Sequence, residues 1–149
     1  MRSLMIDART VRFCTPEMIE RLRRSTLLSS FLENNVPKID AFIPAVEIPA
    51  GKDAAANHFD NRVPTNLGLF RAYIIARLRA DKRVNSEMTL MVRQLEPTPT
   101  GIPLQLYFFT DTVVWTEYEA IQSDVFDHLL AIISEFDLRI YQRSADTTV

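Results

Sequence analysis

Apolar and polar positions recur along this chain with two periods, and those periods predict most of its elements. From Arg2 to Phe13, Leu4, Ile6 and Ala8 alternate with Met5, Asp7 and Arg9, the period of two of a half-buried strand. Thr15 is a good helix N-cap and Pro16 suits the first helical position, where its missing N–H costs nothing. A helix is therefore predicted from Pro16 to about Glu33. Ile19, Leu22, Leu27 and Phe31 supply its apolar side, with Arg21, Arg23 and Arg24 solvated. Over 34–64 the pattern breaks down. Pro37, Pro44, Pro49 and Pro64, with Gly51, block long helices and interior strands and predict a surface excursion. Phe42, Ile43, Val46 and Ile48 are expected to pin its first half.

A second helix opens near Thr65 or Asn66. Leu67, Phe70, Tyr73, Ile74 and Leu78 recur at helical spacing, while Arg71, Arg77 and Arg79 take the other side. A hairpin follows, with strands at about Thr89 to Leu95 and Ile102 to Phe109 joined through Pro97, Pro99 and Gly101. The last helix carries the clearest stripe: Tyr118, Ile121, Val125, Leu129, Ile132, Ile133 and Phe136. Thr116 with Glu119 has the form of a capping box at its start. A strand over Leu138 to Arg143 and a tail over 144–149 complete the chain. The succession strand (1–14), helix (15–33), excursion (34–64) and αββαβ remainder (65–143) predicts one domain over 1–149. Its class is α+β, a ferredoxin-like βαββαβ sandwich with an extra early helix and a proline-rich excursion.

Composition narrows the function. The chain has 149 residues, enough for one hydrophobic core, and 47% are apolar, which argues against disorder. A formal net charge of −2 gives no general attraction for nucleic acid or anionic lipid. Cys14 is the sole cysteine, so no intrachain disulfide exists, and a buried small hydrophobe is the expected role. No stretch reaches the roughly 20 consecutive apolar residues that cross a bilayer. The N-terminus has no signal-peptide pattern. Strand-like sequence directly after Met1 suggests a piece of a longer protein.

Chemistry is sparse. Asp124, Asp127 and His128 share a helix face at a spacing that can chelate a metal, but a solvated polar face is the expected outcome. His58, in a polar stretch of the excursion, is given no role. Three glycines form no phosphate loop, and no serine sits in a nucleophile elbow. The sequence therefore predicts no catalytic, cofactor-binding or metal-ligating residues, no cofactor, and no enzyme. RNA-recognition domains share the βαββαβ topology and stack bases on aromatics, and Tyr107 and Phe109 would project from the helix-free sheet face. The first strand offers Met5, Asp7 and Arg9 there instead of aromatics, and the pI of about 5.7 is wrong for that task. Packing under the excursion or against a neighbouring subunit is the preferred role for those rings. A small-molecule regulatory domain is the other alternative. Trp115 and Tyr118 can mark an interface, with core packing the commoner fate.

Several segments resemble one family. Thr65-Asn66-Leu67-Gly68-Leu69-Phe70-Arg71-Ala72-Tyr73, Met88 to Pro97 and Glu117 to Leu130 are similar to the miniconductance (YbdG-like) branch of MscS-like mechanosensitive channels. Arg2 to Asp7, followed by Pro16 to Arg21, resembles the exit from that branch's membrane-proximal β-domain. Residues 34–64 depart from the family pattern, and no apolar strand beyond Arg143 could build the C-terminal barrel of its founding members. The resemblance implies a cytoplasmic vestibule domain of a bacterial inner-membrane channel. It implies self-association as a homoheptamer, passage of ions and small solutes through side portals, no nucleic-acid partner, and a membrane link through an upstream region. Arg21, Arg23 and Arg24 are candidate lining charges, with a solvated helix face the more ordinary reading.

Overall fold

The computed structural model describes residues 1–35 and 64–143. Most of the proline-rich excursion, including Phe42, Ile43, Val46, Ile48 and His58, lies outside the described residues, as does the tail over 144–149. Two layers are present: an antiparallel sheet, and helices covering one of its faces.

The first strand, β1, spans Arg2–Ile6 and buries Leu4 and Ile6. It is shorter than its alternation suggests because Asp7 ends it. The Asp7 carboxylate accepts from the backbone N–H of Arg9 at 3.0 Å and caps a 3-10 turn over Ala8–Thr10. Ala8, expected inside, is exposed.

The expected helix from Pro16 to Glu33 is two helices. Thr15 caps α1 (Pro16–Leu22), its hydroxyl accepting from the Met18 N–H, as its sequence position suggests. The chain then breaks, and α2 runs over Thr26–Asn35. Ser25 causes the break: its hydroxyl accepts from the N–H of Leu28 at 3.3 Å, a fresh N-cap that competes with continuing the first helix.

Helix α3 (Asn66–Ala80) opens on Thr65, whose hydroxyl accepts from Gly68 N–H at 3.0 Å. The predicted stripe of Leu67, Phe70, Tyr73, Ile74 and Leu78 is buried, with Leu69 beside it. Strands β2 (Met91–Gln94) and β3 (Ile102–Tyr107) follow. The turn between them needs Gly101, whose φ of 108° lies in the region that side chains avoid. The sheet order is β1-β3-β2, with Leu4 opposite Leu104 and Val92 opposite Leu106. All four point into the core. The opposite face carries the row Ser3, Gln105 and Arg93, in which Arg93 Nε donates to Gln105.

The last helix, α4 (Trp115–Ile132), continues into a 3-10 turn over Ile133–Phe136. Ile121, Val125, Leu129, Ile133 and Phe136 are buried, as the stripe predicts. The capping box of Thr116 and Glu119 is not formed. The helix begins one residue before Thr116, and Glu119 instead pairs with Arg2. Thr112 replaces the box, accepting from Val114 N–H at 3.1 Å and donating to the Glu117 carboxylate at 2.6 Å.

The strand expected over Leu138 to Arg143 is reduced to one bridge, Ile140 against Ile6. Asp7 N–H donates to Arg139 and Tyr141 N–H donates to Met5. The ladder cannot extend past Asp7, because the chain there turns into its 3-10 turn. The architecture is α+β, with a three-stranded antiparallel sheet.

Candidate assembly surface

Three groups of residues carry the chemistry of this domain: a buried polar clamp, an arginine cluster, and an apolar ridge.

The clamp is Asn66, fully buried at the first position of α3. Its Nδ2 donates to the carbonyls of Thr10 at 2.9 Å and Phe136 at 3.0 Å. Its Oδ1 accepts from Arg12 N–H at 3.0 Å and from Leu67 N–H at 2.9 Å. One side chain thus ties the segment after β1, the start of α3 and the end of the last 3-10 turn. The sequence marked Asn66 only as a helix start; three of its four partners lie 54 to 70 residues away, and no local pattern encodes that.

Arg12 and Arg21 reinforce the same junction. Asp137, with a left-handed φ of 55°, accepts from Arg12 at 2.8 Å and pairs with Arg21 at 3.0 Å. Burial pushes the Asp137 carboxyl up, but the hydrogen bonds from Arg21 and Arg12 outweigh it and hold it below the usual carboxylate range. Arg21 also donates to the Glu135 carbonyl, satisfying the end of the last helix. Among the three candidate lining arginines, then, Arg21 is a structural clamp. Arg23 pairs with Glu20 at 3.4 Å, and Arg24 is exposed with no ion pair among the described residues. With Pro16, Glu17 and Glu20 these arginines line an open depression of about 790 Å³ along α1.

The residues at chelating spacing on α4 are held separately. Asp124 bonds Arg83 at 2.8 Å, and His128 Nε2 lies 2.7 Å from the Tyr73 hydroxyl on α3. Asp127 is exposed. Among the described residues, no three His, Cys, Asp or Glu side chains gather in a way that could hold a metal. Burial and the neighbouring Arg77 lower the His128 pKa, against the opposing pull of Asp124 and Asp127. Cys14 is buried, and burial, with a smaller push from Asp137, raises its thiol pKa to about 12. That thiol is no nucleophile at neutral pH.

The ridge is Val113, Val114 and Trp115, leading into α4. Val113 is wholly exposed and Trp115 is 72% exposed, so this tryptophan is not a core residue. Tyr118, one turn on, is half-buried and accepts from Gln122. Tyr107 and Phe109 are half-exposed and meet edge to face, with ring centres 5.3 Å apart. These aromatics are surface chemistry that suits contact with another macromolecule.

A protein-family model matches residues 63–140, which hold the whole unit from α3 through α4 to the Ile140 bridge; its description is "Mechanosensitive ion channel MscS, C-terminal". The chain belongs to this MscS family. Asn66, Trp115 and Asp137 all lie inside the matched span, whereas β1, α1 and α2 precede it. No solved structure matches the chain. Among the described residues, no helix is long and apolar enough to cross a membrane. The MscS C-terminal domain belongs to ion channels, not to enzymes.

Proposed function

We propose that this chain is the cytoplasmic vestibule domain of a mechanosensitive channel of the miniconductance branch, resident in a bacterial inner membrane. The observation that carries this reading is the family match over the complete α3–α4 unit. The fold supports it as a ferredoxin-like βαββαβ sandwich: the order β1-β3-β2 is extended on the free side of β1 by Ile140, a rudimentary fourth strand.

In this reading the domain does no chemistry. Seven copies surround a chamber below the pore, membrane tension opens the pore, and the chamber's side openings filter ions and small solutes. Arg24, exposed just after α1 and without an ion pair among the described residues, and Arg23, exposed beside it and paired with Glu20, are the charges that would line that path. Arg21 is not, because Glu135 and Asp137 hold it. The physiological consequence is release of solute after osmotic downshock.

The test is survival. Cells stripped of their own tension-gated channels and supplied with the full gene should survive an abrupt drop in osmolarity. Survival no better than with empty vector, with the protein shown to be in the membrane, refutes the reading.

A further inference from the structure

We propose that the cleft at the elbow between α1 and α2 binds a small amphiphilic monoanion, a medium-chain carboxylate. The site lies within one copy of the chain and does not depend on how copies assemble.

The cleft follows from the helix break. The chain leaves α1 after Leu22 and restarts at the Ser25 cap of α2, while Arg21 holds α1 against the end of the last helix through the Glu135 carbonyl. Helix α3 contributes Tyr73, and the space enclosed by these elements is about 400 Å³. Pockets of about 300–1,000 Å³ with an apolar lining and a few placed polar groups are those that take small molecules.

The floor is apolar. Leu22, Leu28, Tyr73 and Phe136 are buried there, and Ile132 is a half-buried wall. Tyr73 offers its ring, because its hydroxyl is held by His128 at 2.7 Å and the ring packs on Phe136 with centres 5.6 Å apart. A hydrocarbon body laid on this floor removes apolar surface from water and leaves no floor hydroxyl without a partner.

Charge at the mouth selects the head group. Arg21 pairs with Asp137 at 3.0 Å and with Glu135 at 3.8 Å, and Asp137 also takes Arg12. Two arginines and two carboxylates thus balance one another. Arg24 is the remainder: it lines the mouth, is exposed, and has no ion pair among the described residues. One uncompensated cation suits one negative charge, whereas a dianion would set its second charge against Glu135. The guanidinium fork matches a carboxylate. Ser25, its neighbour in the chain, accepts from Leu28 N–H, and its own proton has no acceptor among the described residues, so it can donate to the same carboxylate.

The test titrates octanoate, and 1-octanol as its uncharged counterpart, into the 149-residue chain with labelled isoleucine and leucine methyls. The expected NMR record is a saturable shift of the Leu28 and Ile132 methyl signals with octanoate, and binding of 1-octanol at least tenfold weaker. Arg24→Gln alters an exposed side chain, so circular dichroism should be unchanged while octanoate affinity falls at least tenfold. Ile132→Glu, which places a carboxylate on the wall, should abolish octanoate binding. The absence of a saturable shift up to the solubility limit of octanoate overturns the proposal. Equal affinity for octanoate and 1-octanol, or undiminished affinity in Arg24→Gln, assigns the cleft to neutral apolar molecules and overturns it too. So do contacts from the Leu28 and Ile132 methyls to residues 36–63 that octanoate fails to displace, since the chain itself would then fill the cleft.

Discussion

Asn66 donates a hydrogen bond at 3.0 Å to the backbone carbonyl of Phe136, 70 residues further along the chain, and both residues are buried. This bond, with its companions to Thr10 and Arg12, fastens the part of the domain that precedes the MscS match to the part within it. Replacing Asn66 by alanine leaves the buried Phe136 carbonyl without its partner and removes the part-buried bonds to the Thr10 carbonyl and the Arg12 N–H. The loss should be about 1–3 kcal/mol, the cost of one buried group left unsatisfied, since water can reach the other two. Urea unfolding of Asn66→Ala measures it, and a loss below about 0.5 kcal/mol, the scatter of ordinary surface changes, would show the clamp to be dispensable.

Tyr73 and His128 join α3 to α4, and the partial burial of His128 there makes stability depend on pH. Burial and Arg77 lower the His128 pKa in the folded state relative to the unfolded value of about 6.5. The unfolded chain therefore binds the proton more readily, so stability rises with pH in this window. The contribution is fully present above the unfolded value and is lost as pH falls through the folded one. Melting curves across that window should show the decline, and His128→Gln should flatten it. An NMR titration placing His128 above its unfolded value would reverse the sign.

Gly101 fixes the hairpin. A Cβ built there would lie 2.6 Å from the Ile6 carbonyl oxygen, in backbone geometry already unfavourable for a side chain. Gly101→Ala should destabilise the domain by about 2 kcal/mol or more, since strain of about 1–3 kcal/mol adds to a clash with backbone that cannot yield. Thermal unfolding decides it, and a wild-type midpoint would mean the turn relaxes freely.

Cys14 offers a clean reporter of folding. Its thiol is buried and its pKa is raised to about 12, so native protein at neutral pH should resist Ellman's reagent. Reaction should follow unfolding, one thiol per chain. Rapid stoichiometric labelling of the native domain would contradict the packing around α1.

What could be read from the sequence was what is written locally. The stripes of α3 and α4 and the alternation of β3 follow from spacing alone, because each element must bury one face. Thr15 was legible as a cap for the same reason: a hydroxyl three residues before a free N–H acts within its own turn. The start of α3 was legible near Thr65 or Asn66, and the structure makes Thr65 its cap. Where two local signals competed, the pattern misled. Ser25 restarts a helix that the apolar spacing of Leu22 and Leu27 would continue, Asp7 cuts short an alternating strand, and Thr112 displaces the Thr116–Glu119 box. Asn66 and Asp137 stayed hidden as structural residues, because their partners come from segments that only tertiary folding brings close. The exposure of Trp115 was equally hidden. A tryptophan next to a helix start packs inward or outward according to what faces it, and here no described segment covers it.

The central claim is that this domain serves a pore opened by membrane tension. Suction applied to membrane patches containing the full-length product of the gene tests it most directly. Single-channel openings whose probability climbs with suction, and which vanish from patches lacking the gene, are the expected record. Silent patches up to the rupture tension, with the protein verified in the same membranes, would contradict it.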